Sequence, residues 1–253
     1  MTVIRSILIA FSMFSALPVP QTEWNEKSMR YALCAFPMVG AVIALLCRLW
    51  LWLCAMFSLP VILRGAGLCL LPVLVTGGIH LDGYADTCDA LASHSSVEKK
   101  QQILKDPHLG AFAAIRLCCW FLACFALCCA LPELSLCALL GLFCLSRSLS
   151  GLALTLFPLR EGSGLARSFA EGADKKAVRA VLAALALVSA LLLILSGQAL
   201  SLLAACLVLL RYRRLCVRDF GGLSGDLAGW FLQTAELWML AGLVLTYYGR
   251  QML

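Results

Sequence analysis

Long apolar runs separated by short polar connections organise this chain. Runs of about 17–25 apolar residues cross a bilayer as helices. They predict spans at roughly 31–57, 61–79, 109–131, 134–158, 178–196 and 228–248. Shorter apolar stretches at 198–210 and at the N-terminus add a seventh and an eighth candidate. Pro60, Pro132 and Gly197 punctuate three tight hairpins. Polar residues gather in four connections, 21–30, 80–108, 159–177 and 211–227. The pattern therefore predicts an all-α fold, a polytopic transmembrane helical bundle of about 6–8 spans. No polar linker or low-complexity tract divides it, so residues 1–253 read as a single integral membrane domain.

The order of runs and connections fixes a topology. Successive polar connections are separated by apolar hairpins of two spans each, 31–79, 109–158 and 178–210. An even number of crossings returns the chain to the face it left, so all four connections are expected on one side. They carry Lys27, Arg30, Lys99, Lys100, Lys105, Arg160, Arg167, Lys175, Lys176, Arg179, Arg211, Arg213, Arg214 and Arg218. By the positive-inside rule that side is cytoplasmic. At the N-terminus, Arg5 before an apolar 6–16 has the outline of a signal peptide. It lacks a small-residue cleavage site, and Leu17-Pro18-Val19-Pro20 follows, so it reads as mature sequence, either a short span or a re-entrant segment.

Composition strengthens the membrane reading. The chain of 253 residues is 62% hydrophobic and 13% charged, with a mean hydropathy of +0.93. Soluble domains are about 45–50% apolar and about 25% charged. The 14 cysteines lie almost entirely inside apolar runs with no CxxC pair, which suits apolar filler rather than a disulfide framework. A net charge of +6, clustered in loops, speaks to topology and anionic substrates and not to nucleic acid.

Against this background three aspartates stand out in Gly77-Gly78-Ile79-His80-Leu81-Asp82-Gly83-Tyr84-Ala85-Asp86-Thr87-Cys88-Asp89. Asp82, Asp86 and Asp89 fall at i, i+4 and i+7, within an arc of about 60° on a helix. A carboxylate at mid-membrane costs roughly 2.5–3.5 kcal/mol, so three cost on the order of 8–10 kcal/mol without compensation. A divalent cation or water at the membrane edge supplies it. Carboxylates are hard ligands suited to Mg²⁺, which keeps several waters and bridges substrate phosphates. Spread over about 10 Å of helix axis, they can hold one ion or a pair. Gly77, Gly78 and Gly83 keep the backbone slim where a pyrophosphate approaches. His80 is a base for an attacking hydroxyl or an orienting group for an aspartate.

Three further motifs surround this one. In Lys105-Asp106-Pro107-His108-Leu109-Gly110, Pro107 discourages helix at Asp106 and can open the next span, offering backbone N–H groups to an anion beside Lys105 and His108. Asp106 is a metal ligand or a helix cap. In Arg160-Glu161-Gly162-Ser163-Gly164-Leu165-Ala166-Arg167, glycines and two arginines suit phosphate. In Gly221-Gly222-Leu223-Ser224-Gly225-Asp226, Asp226 caps the last span or completes a metal shell, with Glu236 deeper. Arg147, inside an apolar run, is expected near the interface or paired with an acid.

These four motifs, in this order and spacing, resemble the cobalamin synthase family, the adenosylcobinamide-GDP ribazoletransferases, over most of the chain from Leu17 to Glu236. The aspartate block is the most specific part. Pro107-His108 departs from a common Ser-Arg pair, and Ala90 from a frequent glycine. The resemblance implies a bacterial inner-membrane enzyme, facing the cytoplasm, that joins adenosylcobinamide-GDP to α-ribazole or its 5′-phosphate and releases GMP. It implies Mg²⁺ dependence, carried to Asp82, Asp86 and Asp89, with Asp106 and Asp226 as further candidate ligands. Catalysis is expected from His80, Asp82, Asp86 and Asp89, and substrate binding from Lys105, His108, Arg160 and Arg167. Partners are the small-molecule substrates and membrane lipid, with self-association or assembly with other corrinoid enzymes left open. Two rival readings stand beside this one. A CDP-alcohol phosphotransferase also begins its signature with Asp-Gly, but wants Ala-Arg where Ala85-Asp86 stands. A transporter would use intramembrane carboxylates, against the convergence of all motifs on one face.

Overall fold

A computed structural model describes residues 2–20, 22, 29–131, 134–162 and 164–252. Lys27, Pro132 and Ser163, which contributed to the charge, hairpin and loop readings, lie outside the described residues. The described residues form helices and a single isolated β-bridge, with no strand. In chain order the helices are α1 (Thr2–Phe14), α2 (Phe36–Met56, led in by a 3-10 turn Ala32–Ala35), α3 (Val61–Thr76) and α4 (Ile79–Ala92). Then come α5 (Val97–Ile103), α6 (Ala111–Ala130), α7 (Leu136–Leu156) and α8 (Leu165–Gly172). Helices α9 (Lys175–Leu195) and α10 (Ala199–Arg214), a π-helical turn Leu215–Asp219 and α11 (Gly225–Gln251) complete the chain.

Five helical stretches are long and apolar enough to cross a membrane: Ala32–Met56, α6, α7, α9 and α11. Helices α3 and α4 together make a sixth, bent by 95°. Helix α10, with 16 residues, is shorter than these, yet it carries the chain from Gly197 at the Arg250 end back to the polar connection after Arg211, so the crossings stay within the expected range. Helix α1 has 13 residues and rises about 20 Å, less than a hydrocarbon core of about 30 Å, so it is a shorter apolar helix and not one of the full-length stretches.

Local chemistry explains the boundaries. Ser135, Asp174 and Ser224 cap α7, α9 and α11, each side chain accepting a backbone N–H from the first turn. The expected span 61–79 stops at Thr76 because Gly77 and Gly78 take φ of +64° and +80°. Their N–H groups bond back to Leu74 and Val73 carbonyls, a left-handed ending that glycine adopts without strain. The chain then restarts at nearly a right angle as α4, so the aspartate helix is an arm of its own and not the end of a straight span.

Helices α4 and α11 pack backbone to backbone. A Cβ at Gly83 would lie 2.8 Å from both Cα and O of Asp226, and one at Gly229 would lie 2.7 Å from the His80 carbonyl. The missing side chain of Gly83 therefore serves helix packing before it serves any ligand.

Contacts between loops divide the bundle into two ends. Arg30 pairs with Asp174 at 2.7 Å, Gln101 Nε2 donates to the Phe220 carbonyl at 2.8 Å, and Arg160 N–H donates to the Leu223 carbonyl at 3.0 Å. All four polar connections meet at one end, as their parity requires. At the other end Arg64 donates to the Leu131 carbonyl, Tyr248 to the Ala130 carbonyl and Arg250 to the Gly197 carbonyl. All 14 cysteines are free thiols.

In the bundle interior Arg147 pairs with Glu236 at 2.6 Å, and Ser146 Oγ donates to the same Glu236 oxygen at 2.8 Å. This resolves Arg147 as the paired case and makes Glu236 its partner. Removing one member strands a buried charge. Glu236→Ala is expected to cost roughly 3–5 kcal/mol in detergent unfolding, and Arg147→Met with Glu236→Leu far less. Equal losses for the single and double variants would contradict this account.

Candidate active site

Three of the four polar connections, 80–108, 159–177 and 211–227, line a chamber of about 370 Å³. The first turn of α4 contributes Ile79, His80, Asp82 and Gly83, and the start of α11 contributes Ser224, Gly225 and Asp226. Arg160, Gly162, Gly164 and Leu165 and the face of α8 bearing Phe169 form a third wall. Met13 and Phe14 at the end of α1 close the chamber with Phe36. Phe14 lies 4.3 Å from the Phe36 ring and 5.3 Å from that of Phe169.

A short backbone link sets the arginine against the carboxylates. Leu159 and Leu223 form a parallel bridge, and Leu223 N–H donates to the Pro158 carbonyl at 2.8 Å. A Cβ at Gly222 would lie 2.4 Å from the Arg160 nitrogen, and its φ of +149° is also foreign to other residues. Glycine is therefore required where the two loops cross. Arg160 is buried, yet its Nε and Nη1 find no hydrogen-bond partner. Buried polar groups are almost always bonded, so a guanidinium left in this state beside Asp226 is a strong anion-binding feature. Arg167 reaches the Arg160 carbonyl at 3.5 Å and Glu171 at 3.4 Å; it braces the loop rather than lining the chamber.

The acidic face of α4 is helical as expected, and its three aspartates occupy different surroundings. Asp82 is exposed into the chamber, while Asp86 and Asp89 are half-buried further along. Asp82, Asp89 and Asp226 all lie close enough for their charges to be felt at Asp86. The carboxylate of Asp89 fills the space left by Gly110, where a Cβ would sit 2.1 Å from Oδ1. Gly110 is the N-cap of α6, so the anion at this helix start is Asp89 itself. His80 is buried with Nε2 unpartnered.

The second motif stands apart from the chamber. Helix α6 begins at Ala111, not at Pro107, and Asp106 caps nothing. Its Oδ1 accepts the His108 backbone N–H at 3.0 Å and faces the His108 ring at 2.7 Å, contacts that hold the Asp106 carboxyl below the usual carboxylate range. His108 is 89% exposed and Lys105 is also exposed; neither lines the chamber. Asp226 is not the cap of α11 either. Ser224 caps it and donates to Asp226 Oδ2 at 3.2 Å. The Ser-x-x pattern ahead of an apolar run was the signal for that cap. Nothing in the pattern marked Phe14 or Phe36 as chamber walls.

Among the described residues no three His, Cys, Asp or Glu side chains form a ready cage for a metal ion. Mg²⁺ does not need one, since one or two carboxylates with water and substrate phosphates suffice. Asp82 and Asp226, hard oxygen donors in one chamber wall, fit that mode; Asp106 does not.

Fold and chamber together define a polytopic helical membrane protein with carboxylates and a buried, unpaired arginine facing one cavity at one end of the bundle. A family model described as cobalamin-5-phosphate synthase matches residues 6–244. The adenosylcobinamide-GDP ribazoletransferase of Lachnoclostridium phytofermentans is 42% identical, covering 95% of this chain and 92% of that protein. Those of Pseudomonas fluorescens (34%; 94% and 98% covered) and Geobacillus thermodenitrificans (32%; 91% and 92% covered) are also similar. No solved structure matches. The chain belongs to the cobalamin-5-phosphate synthase family.

Proposed function

We propose that this protein is an adenosylcobinamide-GDP ribazoletransferase, acting on α-ribazole or its 5′-phosphate. The 5′-hydroxyl oxygen bonds to the phosphorus next to the corrinoid. The bond from that phosphorus to the bridging oxygen breaks, GMP departs with the electron pair, and the hydroxyl proton passes to a base. Family membership supports this reading over a CDP-alcohol phosphotransferase or a transporter. The structural observation that carries it is the buried Arg160 guanidinium, free to take phosphate oxygens in a carboxylate-lined chamber.

Arg160 neutralises charge on the pyrophosphate and on departing GMP. His80 Nε2 offers an acceptor for the hydroxyl proton, with Asp82 as the other candidate. Mg²⁺ would be held by Asp82 and Asp226, with Asp86 and Asp89 adding negative charge, and would supply charge neutralisation at the phosphates. The polar end faces the cytoplasm of a bacterial inner membrane, because the lysines and arginines of the four connections gather there.

The test is protein in nanodiscs given adenosylcobinamide-GDP and α-ribazole. GMP and cobalamin should appear in equal amounts by mass spectrometry; a folded preparation releasing neither would sink the reading. Gly110→Ala supplies a finer check. Its methyl must displace the Asp89 carboxylate, and turnover is expected to fall on the order of tenfold with little change in unfolding midpoint. Unaltered turnover would detach Asp89 from the reaction.

A further inference from the structure

The face of α4 opposite its aspartates borders a second cavity, larger than the chamber, at about 1010 Å³. Tyr84, Cys88 and Leu91 form its inner wall, α6, α10 and α11 supply most of the rest, and His94, Lys100 and Asp219 complete it. Its residues are ordered along the bundle axis. Arg116 lies five residues into α6, Arg211 three residues before the end of α10, and Trp230 five residues into α11. At 1.5 Å per residue these sit within about two turns of the polar end, at headgroup depth. Ala204, Leu207 and Trp238 lie deeper, and Leu207 and Trp238 are more than half exposed on faces that meet lipid.

The charge of the cavity is unbalanced. Its Lys100 is taken by Asp219 at 3.3 Å. Arg211 stacks over the Trp230 ring at 5.7 Å, and neither Arg211 nor Arg116 forms an ion pair among the described residues. Both lie close enough to Cys88 for their charges to be felt there, one from each side of the cavity. Two cations at headgroup depth above an apolar, lipid-facing trough have the shape and charge order of a phospholipid.

We propose that this groove is a binding site for an anionic phospholipid, its phosphate between Arg116 and Arg211 and an acyl chain along Leu207 and Trp238. The site is separate from the chamber and independent of the transferase reading.

Native mass spectrometry of the full chain in detergent tests it, with phosphatidylglycerol and phosphatidylcholine supplied in equal amounts. The wild type should retain phosphatidylglycerol preferentially, and Arg116→Gln with Arg211→Gln should lower that retention on the order of tenfold. Both arginines are exposed, so the variant is expected to fold; Trp238→Ala, which leaves the charges intact, should also weaken retention. Equal retention of the two lipids, or of phosphatidylglycerol by wild type and both variants, overturns the proposal. Displacement of the bound lipid by millimolar inorganic phosphate would also overturn it, by reducing the site to one for simple anions.

Discussion

Replacing Arg160 with glutamine is expected to cut GMP release on the order of 10²–10³-fold while leaving the unfolding midpoint unchanged or raised. The loop does not depend on the side chain for its course, since Arg160 N–H and Leu223 N–H make the backbone link between the two connections. The guanidinium instead sits buried with Nε and Nη1 unpartnered, a state that costs stability. Glutamine removes that cost together with the anion-binding function, the usual opposition of stability and activity at a working site. Arg167→Gln provides the contrast. Arg167 also leaves its Nε unpartnered, but it bonds Glu171 and the Arg160 carbonyl and lies outside the chamber lining, so a loss of severalfold is expected. If Arg160→Gln turned over within a few fold of wild type, the chamber would lose its phosphate anchor.

The contrast between these two arginines marks how far the sequence could be read. Both lie in one glycine-rich loop and looked alike as phosphate ligands. Their separation depends on the Leu159–Leu223 bridge, a tertiary contact that no periodicity encodes. The acidic face of α4 was legible because i, i+4 and i+7 spacing is a local property, and for Arg147 apolar surroundings left two alternatives, an interfacial or a paired charge, of which the Glu236 contact selects the second. The convergence of the polar connections followed from counting crossings.

What failed was whatever depended on the exact path of the backbone. The right-angle bend at Gly77-Gly78 lay hidden inside an unbroken apolar run. Lys105, Asp106 and His108 were drawn toward the site by proximity in sequence to Pro107 and the next span. Asp106 instead folds back on His108, and the helix starts at Ala111, four residues after Pro107, where Asp89 already occupies the Gly110 side.

The bend has a mechanistic consequence for those aspartates. Because α4 leaves the axis of α3 at 95°, its acidic face runs along the polar end instead of descending into hydrocarbon. Water and substrate phosphates can reach it without the insertion cost that a straight span would impose. The Gly83–Asp226 backbone contact then brings a carboxylate from the opposite end of the chain to the same chamber wall.

Asp82→Asn is the sharpest test of that arrangement, and turnover is expected to fall on the order of 10³-fold or more. Membrane insertion and the unfolding midpoint should survive, because asparagine keeps the shape and relieves repulsion among neighbouring carboxylates. Asp89→Asn should cost less, since Asp89 lies at the start of α6 and not in the chamber wall. The graded pair separates a site built on particular oxygens from a merely acidic surface, on which either aspartate would matter equally. Near-normal turnover of Asp82→Asn at saturating Mg²⁺ would remove Asp82 from the reaction, and Asp226 would then have to hold the cation from α11 alone.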